Sequence, residues 1–176
     1  MEILIRREES TDYSAVFKLI EASFQDELLS DHREGYLVER LRGSSAFVPE
    51  LSLVAENDSN VIGYILLTKI IIQNNRKIYE SLALAPVSVL PQYQRMGVGT
   101  KLIAEAHERA KFLGFKSVVL PGHQDYYSRF GYELASKYGI KLPFDVPEEN
   151  CMAIELIEGG LDGVIGEVKY PDEFLA

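Results

Sequence analysis

The sequence predicts a single mixed α/β domain over residues 1–176, with a core over about 3–135 and a C-terminal strand and tail over 136–176. Three patterns predict this class: a long β-branched hairpin, an amphipathic helix after a glycine-containing loop, and a strand–helix–strand order. That last order requires a right-handed parallel crossover. A chain of 176 residues can bury roughly 70% of the surface that its unfolded form exposes.

The N-terminal part begins with a predicted strand over residues 3–6 and continues into two helices. Asp12 stands directly before the first helix, where an N-cap residue belongs. The apolar positions of this helix recur at spacings of three and four, at Tyr13, Val16, Phe17, Ile20 and Phe24. A polar connection over residues 25–33 leads to a second short helix, with Tyr36, Leu37, Val38 and Leu41 on one side and a break at Gly43.

The middle of the chain is rich in β-branched residues. Two strands over residues 51–56 and 61–72 flank the turn Asn57-Asp-Ser-Asn60, which predicts an antiparallel hairpin. A second turn leads to a strand over residues 78–89. Because proline cannot donate a hydrogen bond to a sheet, Pro86 predicts a bulge or an unpaired stretch in that strand.

The clearest helix covers residues 100–113, and its apolar stripe consists of Leu102, Ile103, Ala106, Ala110 and Leu113. Gly114 is a natural helix end, and a strand over residues 116–121 follows. A compact aromatic segment then ends at Gly131. The remaining residues, 133–176, contain one predicted strand, over 152–157.

Composition narrows the classes of partner. A net charge of −9 argues against a nucleic-acid partner. The acidic surface suits a cationic substrate such as an amine, or serves solubility alone. Cys151 is the only cysteine, so no intrachain disulfide forms and a reducing compartment is expected; its apolar flanks predict a buried core residue. No run approaches the ~20 apolar residues of a membrane span, and we expect a cytoplasmic protein with no membrane partner.

The stretch Val87-Ser-Val-Leu-Pro91 runs into a loop and then into the long helix, an order that predicts an anion site. The first N–H groups of a helix lack partners within the helix and carry partial positive charge. Gly97 and Gly99 let the backbone approach a pyrophosphate. A dinucleotide fingerprint fails, because Leu102 stands at its third glycine, and a Walker loop fails, because only Val98 separates the two glycines.

The stretch resembles the acetyl-CoA loop of the GCN5-related N-acetyltransferases (GNAT), whose helix opens with Gln/Arg-x-x-Gly-x-Gly/Ala. Here the matching residues are Gln94-Arg95-Met96-Gly97-Val98-Gly99, followed by Thr100. Tyr127, four residues before Gly131-Tyr132, resembles the family's Tyr-x-x-x-Gly-Phe/Tyr element. A YhbS-like bacterial subgroup is similar in Gly122-His123, Tyr126-Tyr127, Arg129-Phe130-Gly131 and the terminal Tyr170-Pro-Asp-Glu-Phe174.

The resemblance implies a GNAT fold: a central mixed, mostly antiparallel sheet with splayed fourth and fifth strands, flanked by helices. It implies acetyl-CoA as co-substrate, with the N–H of Val89 polarising the thioester carbonyl and Tyr127 acting as general acid. The residues expected to bind acetyl-CoA are Val87, Ser88, Val89, Leu90, Gln94, Arg95, Met96, Gly97, Val98, Gly99, Thr100 and Tyr127. No metal is expected, since His32 and His107 do not group with other ligands.

Several points stay open from the sequence. Many relatives carry a glutamate base on the fourth strand, where this chain has Ser88, so Glu80, His123 or a water chain remain alternatives. The acceptor is a small-molecule or protein amine, expected along residues 25–34 and the hairpin, with the C-terminal segment as a further candidate surface. The acyl group need not always be acetyl, and either a monomer or a homodimer fits. The alternative function is a catalytically weak module that binds or senses acyl-CoA.

Overall fold

The computed structural model describes residues 1–28 and 30–176. Within these residues the chain forms four α-helices: α1 (Tyr13–Phe24), α2 (Glu34–Arg42), α3 (Val98–Phe112) and α4 (Gln124–Tyr127). The strands of the same residues are β1 (Leu4–Arg7), β2 (Phe47–Asn57), β3 (Asn60–Gln73), β4 (Ile78–Val89), β5 (Ser117–Pro121), β6 (Glu133–Leu134), β7 (Ile140–Lys141), β8 (Cys151–Glu155) and β9 (Gly166–Lys169).

The strands form a mixed, mostly antiparallel sheet with parallel pairing of β4 with β5 and of β7 with β9. This confirms the predicted mixed α/β class and the parallel crossover through α3. By its contacts the chain divides into two compact units, Met1–Thr68 with Ala85–Arg109 and Lys69–Leu84 with Ala110–Ala176. Strands β3 and β4 and helix α3 contribute residues to both units, and the single-domain boundary stays a prediction.

The first unit contains the predicted hairpin. Strand β1 pairs antiparallel with β2, and β2 pairs antiparallel with β3. Asp58 and Ser59 join β2 to β3 with φ angles of 47° and 64°. Positive φ at both central residues is the geometry of a type I′ turn, whose twist matches that of paired strands. Helices α1 and α2 bury their apolar faces in this unit, through Val16, Leu19, Ile20, Val38 and Leu41.

Helix α3 begins at Val98, two residues before the predicted start at residue 100. Its first turn packs directly against β3 at Gly63, where a Cβ atom would lie 2.9 Å from Val98 Cγ1 and 2.9 Å from Leu102 Cδ1. Val98 is only 1% exposed. Because Gly63 has no side chain, Val98 packs closely on β3, and this contact fixes where the helix starts.

The second unit is built around β5, which pairs in parallel with β4 and antiparallel with β8. Its buried core consists of Ile70, Ile72, Ala83, Val119, Ala135, Ile140, Ala153, Leu161, Val164 and Val168. Strand β9 pairs antiparallel with the end of β3, joining Ile71 to Lys169 and Gln73 to Glu167. The prediction of one strand in residues 133–176 is wrong, since β6, β7, β8 and β9 all lie there.

Asp12 occupies the N-cap position of α1, but its carboxylate makes no cap hydrogen bond to that helix. It accepts two hydrogen bonds from the Arg6 guanidinium, at 2.8 and 3.0 Å, and one from the backbone N–H of Glu9 at 2.8 Å. The predicted capping role is therefore wrong. The side chain instead anchors β1 to the turn before α1, and the hydrogen bonds from Arg6 hold the pKa of Asp12 below its usual value.

Asp12→Asn should lower the free energy of unfolding at neutral pH by ~1.5–3 kcal/mol, the range for hydrogen bonds to a charged group. A lowered native pKa stabilises the fold above the unfolded pKa of about 3.9, and that contribution is lost as pH falls through the native value. Urea unfolding should therefore show the difference from wild type shrinking below about pH 4.

Glu133→Gln is the matched control. Hydrogen bonds from Lys137 and Tyr138 also lower the pKa of Glu133, but this carboxylate is exposed to solvent. Water screens such pairs, so the control should change stability little. A pH-independent loss in Asp12→Asn would contradict the role of its charge.

Candidate functional site

The end of β4 alternates between the two faces of the sheet. Pro86 and Ser88 are buried, whereas Val87 and Val89 are half-buried. The β4–β5 pairing runs through Leu82–Val118 and Ala83–Val119, and β4 continues to Val89. The described β4–β5 ladder thus ends at Ala83, three residues before Pro86. Pro86 is the residue at which the sequence predicts a bulge or an unpaired stretch.

The backbone at the end of β4 has a defined direction. The N–H of Leu90 donates to the carbonyl of Ile62 on β3 at 2.9 Å. Successive N–H groups of an extended strand point to opposite edges, so the N–H of Val89 points away from β3. The carbonyl of Val89 accepts a hydrogen bond from the Gln94 side chain at 3.1 Å. The N–H of Val89 therefore points to the same strand edge as the Val89 carbonyl, to which the Gln94 side chain donates.

The loop after β4 turns sharply into α3. Residues Pro91–Tyr93 form one 3-10 turn, and Arg95 and Gly97 follow with φ angles of 64° and 85°. The carbonyl of Gly97 accepts the N–H of Lys101 at 3.1 Å, the first bond of the helix. The N–H groups of Val98, Gly99 and Thr100 precede that bond, so the helix start offers donors together with the positive end of its dipole.

The backbone conformation at residue 97 favours glycine, whereas the packing of neighbouring atoms does not require it. A left-handed φ of 85° disfavours any residue with a Cβ, yet a Cβ built there would meet no atom of residues 1–28 and 30–176 within 4 Å. The loop from Gln94 to Gly97 is exposed, and the first turn of α3 contains Lys101 and no acidic residue. Open space, donors and positive charge coincide at the start of α3, so this place fits an anion such as a pyrophosphate.

Tyr127 lies at the end of α4 in the second unit and is half-buried. Its ring makes edge-to-face contacts with Tyr126 at 4.9 Å and Tyr132 at 5.6 Å between centroids. A 3-10 turn follows and ends at Gly131, whose φ of 97° requires glycine. This left-handed residue folds Tyr132 back onto Tyr127 and explains the spacing between Tyr127 and Gly131.

Burial, with a smaller contribution from Tyr126, raises the pKa of Tyr127 well above the usual value for tyrosine. The phenol therefore stays protonated at neutral pH and can donate a proton or hydrogen bond. Arg129 stacks on the neighbouring Tyr126 ring at 4.7 Å and donates to its backbone carbonyl. The aromatic segment is thus a packed group rather than a loose loop.

The first unit also contains two surface cavities between or beside its helices. One of about 510 Å³ is lined by Tyr13, Ser14, Phe17, Lys18, Glu39 and Arg42. The other, of about 330 Å³, is lined by Ile20, Glu21, Phe24, Gln25, His32, Glu34 and Gly35. Three of the latter belong to the stretch 25–34 expected to contact the acceptor; Leu29 in that stretch lies outside the described residues.

Comparison with known proteins decides the family. A family model described as an acetyltransferase (GNAT) domain matches residues 49–134. An uncharacterised N-acetyltransferase of Escherichia coli K12, YhbS, is 30% identical over 173 residues, covering 98% of both chains. The chain belongs to the GNAT family of N-acetyltransferases. A second uncharacterised E. coli N-acetyltransferase, YjhQ, is 35% identical over 143 residues, which is 80% of this chain and 79% of YjhQ.

Solved GNAT structures share the fold over the whole chain. E. coli YhbS in complex with CoA has a TM-score of 0.90 at 28% identity and covers 100% of this chain and 93% of its own. A Brucella melitensis GNAT acetyltransferase in complex with acetyl-CoA has a TM-score of 0.80 at 31% identity, with 98% of both chains covered. The family predicted from the loop and from Tyr127 is therefore confirmed.

The residues predicted to bind acetyl-CoA fall into two sets in this GNAT chain. Residues 87–90 and 94–100 lie at the end of β4, in the loop and in the first turn of α3, all in the first unit. Tyr127 lies in the second unit. The assignment of these residues to acetyl-CoA stays a prediction, and so does the catalytic role of Val89 and Tyr127.

The structure also gives the exposure of the other side chains singled out from the sequence. Glu80 and His123 are both exposed, which leaves the base open. Ser88 is 3% exposed and its hydroxyl has no hydrogen-bond partner among the described residues. Cys151 is half-buried rather than buried, so that expectation is wrong in degree; its Sγ lies 3.6 Å from the carbonyl of Pro147, and partial burial raises the pKa of its thiol.

From the sequence we expect neither a metal site nor a membrane span. Residues 1–28 and 30–176 contain no group of three or more His, Cys, Asp or Glu side chains that could hold a metal ion. Across the same ranges no helix is both long enough and apolar enough to span a membrane.

One neighbour of Tyr127 was not among the site residues predicted from the sequence. From the sequence, Gly122 was noted in the pair Gly122-His123 that resembles the YhbS-like subgroup. In the structure its Cα faces the Tyr127 ring, so that a Cβ would lie 2.4 Å from Tyr127 Cε2. No local pattern reveals this contact, because the two residues are separated by a turn.

Proposed function

We propose that this protein transfers an acetyl group from acetyl-CoA to a primary amine by direct attack through a tetrahedral intermediate. The observation that carries the proposal is the start of α3: among the described residues the N–H groups of Val98, Gly99 and Thr100 have no backbone partner, and a Cβ on Gly97 would meet no atom within 4 Å. Membership of the GNAT family and the CoA and acetyl-CoA complexes of its relatives support the same donor.

The donor would be held by backbone groups of the first unit. Pyrophosphate oxygens would accept the N–H groups between Arg95 and Thr100, and exposed Lys101 adds positive charge nearby. A cation in the first helical turn otherwise opposes the dipole at a cost of ~0.3–1 kcal/mol, which a bound anion reverses. The amides of the pantetheine arm would pair with the strand backbone of residues 87–90.

In the proposed reaction the amine nitrogen forms a bond to the thioester carbonyl carbon. The N–H of Val89 donates to the carbonyl oxygen as it gains charge; loss of one such donor elsewhere costs ~3–4 kcal/mol. The carbon–sulfur bond then breaks and Tyr127 donates to the leaving thiolate, whose conjugate thiol should resemble cysteine, with a pKa of about 8.5. The proton of the amine passes to Glu80, to His123 or to a water chain.

The acceptor is proposed to be a small-molecule or protein amine. The 330 Å³ cavity beside α1 and α2 carries Glu21 and Glu34 among apolar side chains. Carboxylates beside an apolar wall suit an ammonium group on an apolar body. A monomer and a homodimer both fit this proposal, as does a cytoplasmic location.

A second candidate is a module that binds acyl-CoA without efficient turnover. Ser88 favours it, because a buried hydroxyl stands where many relatives carry a glutamate base. The two functions differ in one measurable respect. An enzyme releases free CoA thiol when an amine is added, whereas a sensor binds acetyl-CoA and does not.

The test combines calorimetric titration with acetyl-CoA and a thiol-release assay over a broad panel of primary amines. We expect binding, and thiol release that depends on the amine, measured against a control without amine. Gly97→Ala should weaken acetyl-CoA binding at least roughly ten-fold, because its Cβ enters the space assigned to the pyrophosphate.

Gly163→Ala is the matched control for Gly97→Ala. Gly163 has a φ of 72° and, like Gly97, open space where a Cβ would be. Both substitutions therefore strain the backbone alike, but only one should weaken binding. Equal affinities in the two variants would contradict the assignment of the loop. Binding without thiol release for any amine would overturn the enzyme and favour the sensor.

A further inference from the structure

We propose that Gly122 is a positioning residue for Tyr127: the missing side chain at residue 122 fixes where the Tyr127 hydroxyl lies. This inference rests on the proposed function, in which Tyr127 donates to the leaving thiolate. Both residues belong to the second unit. Four observations carry it: the contact between them, the anchoring of the Gly122 backbone, the backbone conformation of Gly122, and the rings on other sides of Tyr127.

The contact between the two residues leaves no room for a methyl group. A Cβ on residue 122 would lie 2.4 Å from Tyr127 Cε2 and 2.8 Å from Tyr127 Cδ2. Carbon atoms in contact normally stay ~3.5–4.0 Å apart. An alanine at this position would therefore push the ring away by about 1 Å. Leu120 Cδ1, at 2.9 Å, is the end of a flexible side chain and can move more easily.

The backbone of Gly122 is anchored and has little freedom to retreat. Its N–H donates to the carbonyl of Asn150 at 2.7 Å, and the preceding Pro121 is opposite Cys151 in the β5–β8 ladder. Movement of residue 122 would break this end of the ladder. The displacement on adding a Cβ must therefore fall mainly on the tyrosine ring.

The conformation of Gly122 does not itself require glycine. The glycines with positive φ include Gly97, Gly131 and Gly163, but Gly122 is not one of them. An alanine at residue 122 is thus free of backbone strain. What excludes a side chain there is the space taken by Tyr127.

The Tyr127 ring is also held by other aromatic residues. Tyr126 and Tyr132 contact it edge to face, at 4.9 and 5.6 Å, and Phe130 lies 6.5 Å away. The backbone N–H of Tyr127 donates to the carbonyl of His123 at 3.0 Å. With its backbone tied and its ring in contact with other rings, Tyr127 has one packed position, and the flat backbone of Gly122 is one wall of it.

A displaced ring should impair proton transfer more than binding. Transfer needs donor and acceptor heavy atoms within about 2.6–3.2 Å of each other. A misplacement of about 1 Å in a catalytic arrangement costs on the order of 100-fold in rate. Gly122→Ala should therefore lower kcat by roughly 10- to 100-fold while the KM for acetyl-CoA stays within about two-fold.

The deciding experiment measures kcat for Gly122→Ala in wild-type protein and in a Tyr127→Phe background. If residue 122 acts through the Tyr127 hydroxyl, its substitution should have little further effect once that hydroxyl is absent. Gly43→Ala is the control, since Gly43 has a φ of −92° and its Cβ would meet nothing nearer than 3.7 Å. It should keep wild-type kcat.

Two results would overturn the inference: wild-type kcat in Gly122→Ala, or an equal loss in both backgrounds. A wild-type protein without amine-dependent thiol release, or Tyr127→Phe at full activity, would overturn the proposed function instead. In that case thermal unfolding tests the contact between residue 122 and the Tyr127 ring. Gly122→Ala should lower the melting temperature, and Tyr127→Ala in the same chain should relieve that loss; additive losses, or a double variant that fails to fold, would contradict it.

Discussion

Replacing Tyr127 with phenylalanine should lower kcat for amine acetylation by roughly 100-fold, the lower end of the range for general acid–base catalysis. The phenyl ring keeps the contacts with Tyr126 and Tyr132, so folding and acetyl-CoA affinity should be preserved. Only the hydroxyl is lost. The thiolate must then leave without a proton donor, and the rate of carbon–sulfur cleavage falls.

Steady-state rates across about pH 6 to 9 test this role, because the raised pKa of Tyr127 keeps the wild-type phenol protonated over that range. Wild-type kcat should therefore show no decline from loss of this proton. Tyr126→Phe is the matched control, a neighbouring tyrosine in the same aromatic group, and should stay close to wild type. Unchanged turnover of Tyr127→Phe at every pH would remove the acid from the mechanism.

Substitution of Arg42 by methionine should lower the free energy of unfolding by ~3–5 kcal/mol, the cost of leaving a buried charge without its partner. The guanidinium of Arg42 pairs with the Glu8 carboxylate, and the two side chains are 10% and 2% exposed. The same carboxylate accepts the Ser52 hydroxyl at 2.7 Å, which in turn lies 2.7 Å from the Tyr64 hydroxyl. Burial and the charge of Glu8 raise the pKa of Tyr64.

Urea unfolding of Arg42→Met, compared with Arg109→Met, measures this effect. Arg109 pairs with Glu105 on the surface of α3, at 31% and 42% exposure, and such a pair contributes only ~0.3–0.5 kcal/mol. Adding Glu8→Leu to Arg42→Met should recover stability, because it removes the unpaired charge. Equal losses for the two arginines, or a further loss in the double variant, would show that the pair is not a buried electrostatic unit.

Local patterns were enough for the long elements. Strand β4 has the predicted bounds, and α1 and α2 form where the apolar spacing predicts helices. Tyr13 and Tyr36 of the predicted apolar faces are nevertheless 40% and 50% exposed. The loop before α3 and Tyr127 were found because their residues are close together along the chain. In these stretches the periodicity of the apolar residues and the positions of the glycines predict the same local structure.

The misses have a common physical origin in contacts between distant residues. Strand β9 has one apolar residue in four, and it is a strand because it pairs with Ile71 to Gln73, nearly a hundred residues earlier. The early start of α3 depends on Val98 packing over Gly63. Asp12 is equally suited to a helix cap or an ion pair, and Arg6, placed by the sheet, decides between them.

The pairing of β9 with β3 also protects the sheet. Within the second unit, β9 pairs with Ile71 to Gln73 of β3. Gly166 permits the approach, since a Cβ there would lie 2.2 Å from the Gln73 carbonyl oxygen. An uncovered strand edge exposes N–H and C=O groups that recruit other chains into aggregates. The short, charged β9 therefore acts as a cover that keeps a long β-branched strand from templating self-association.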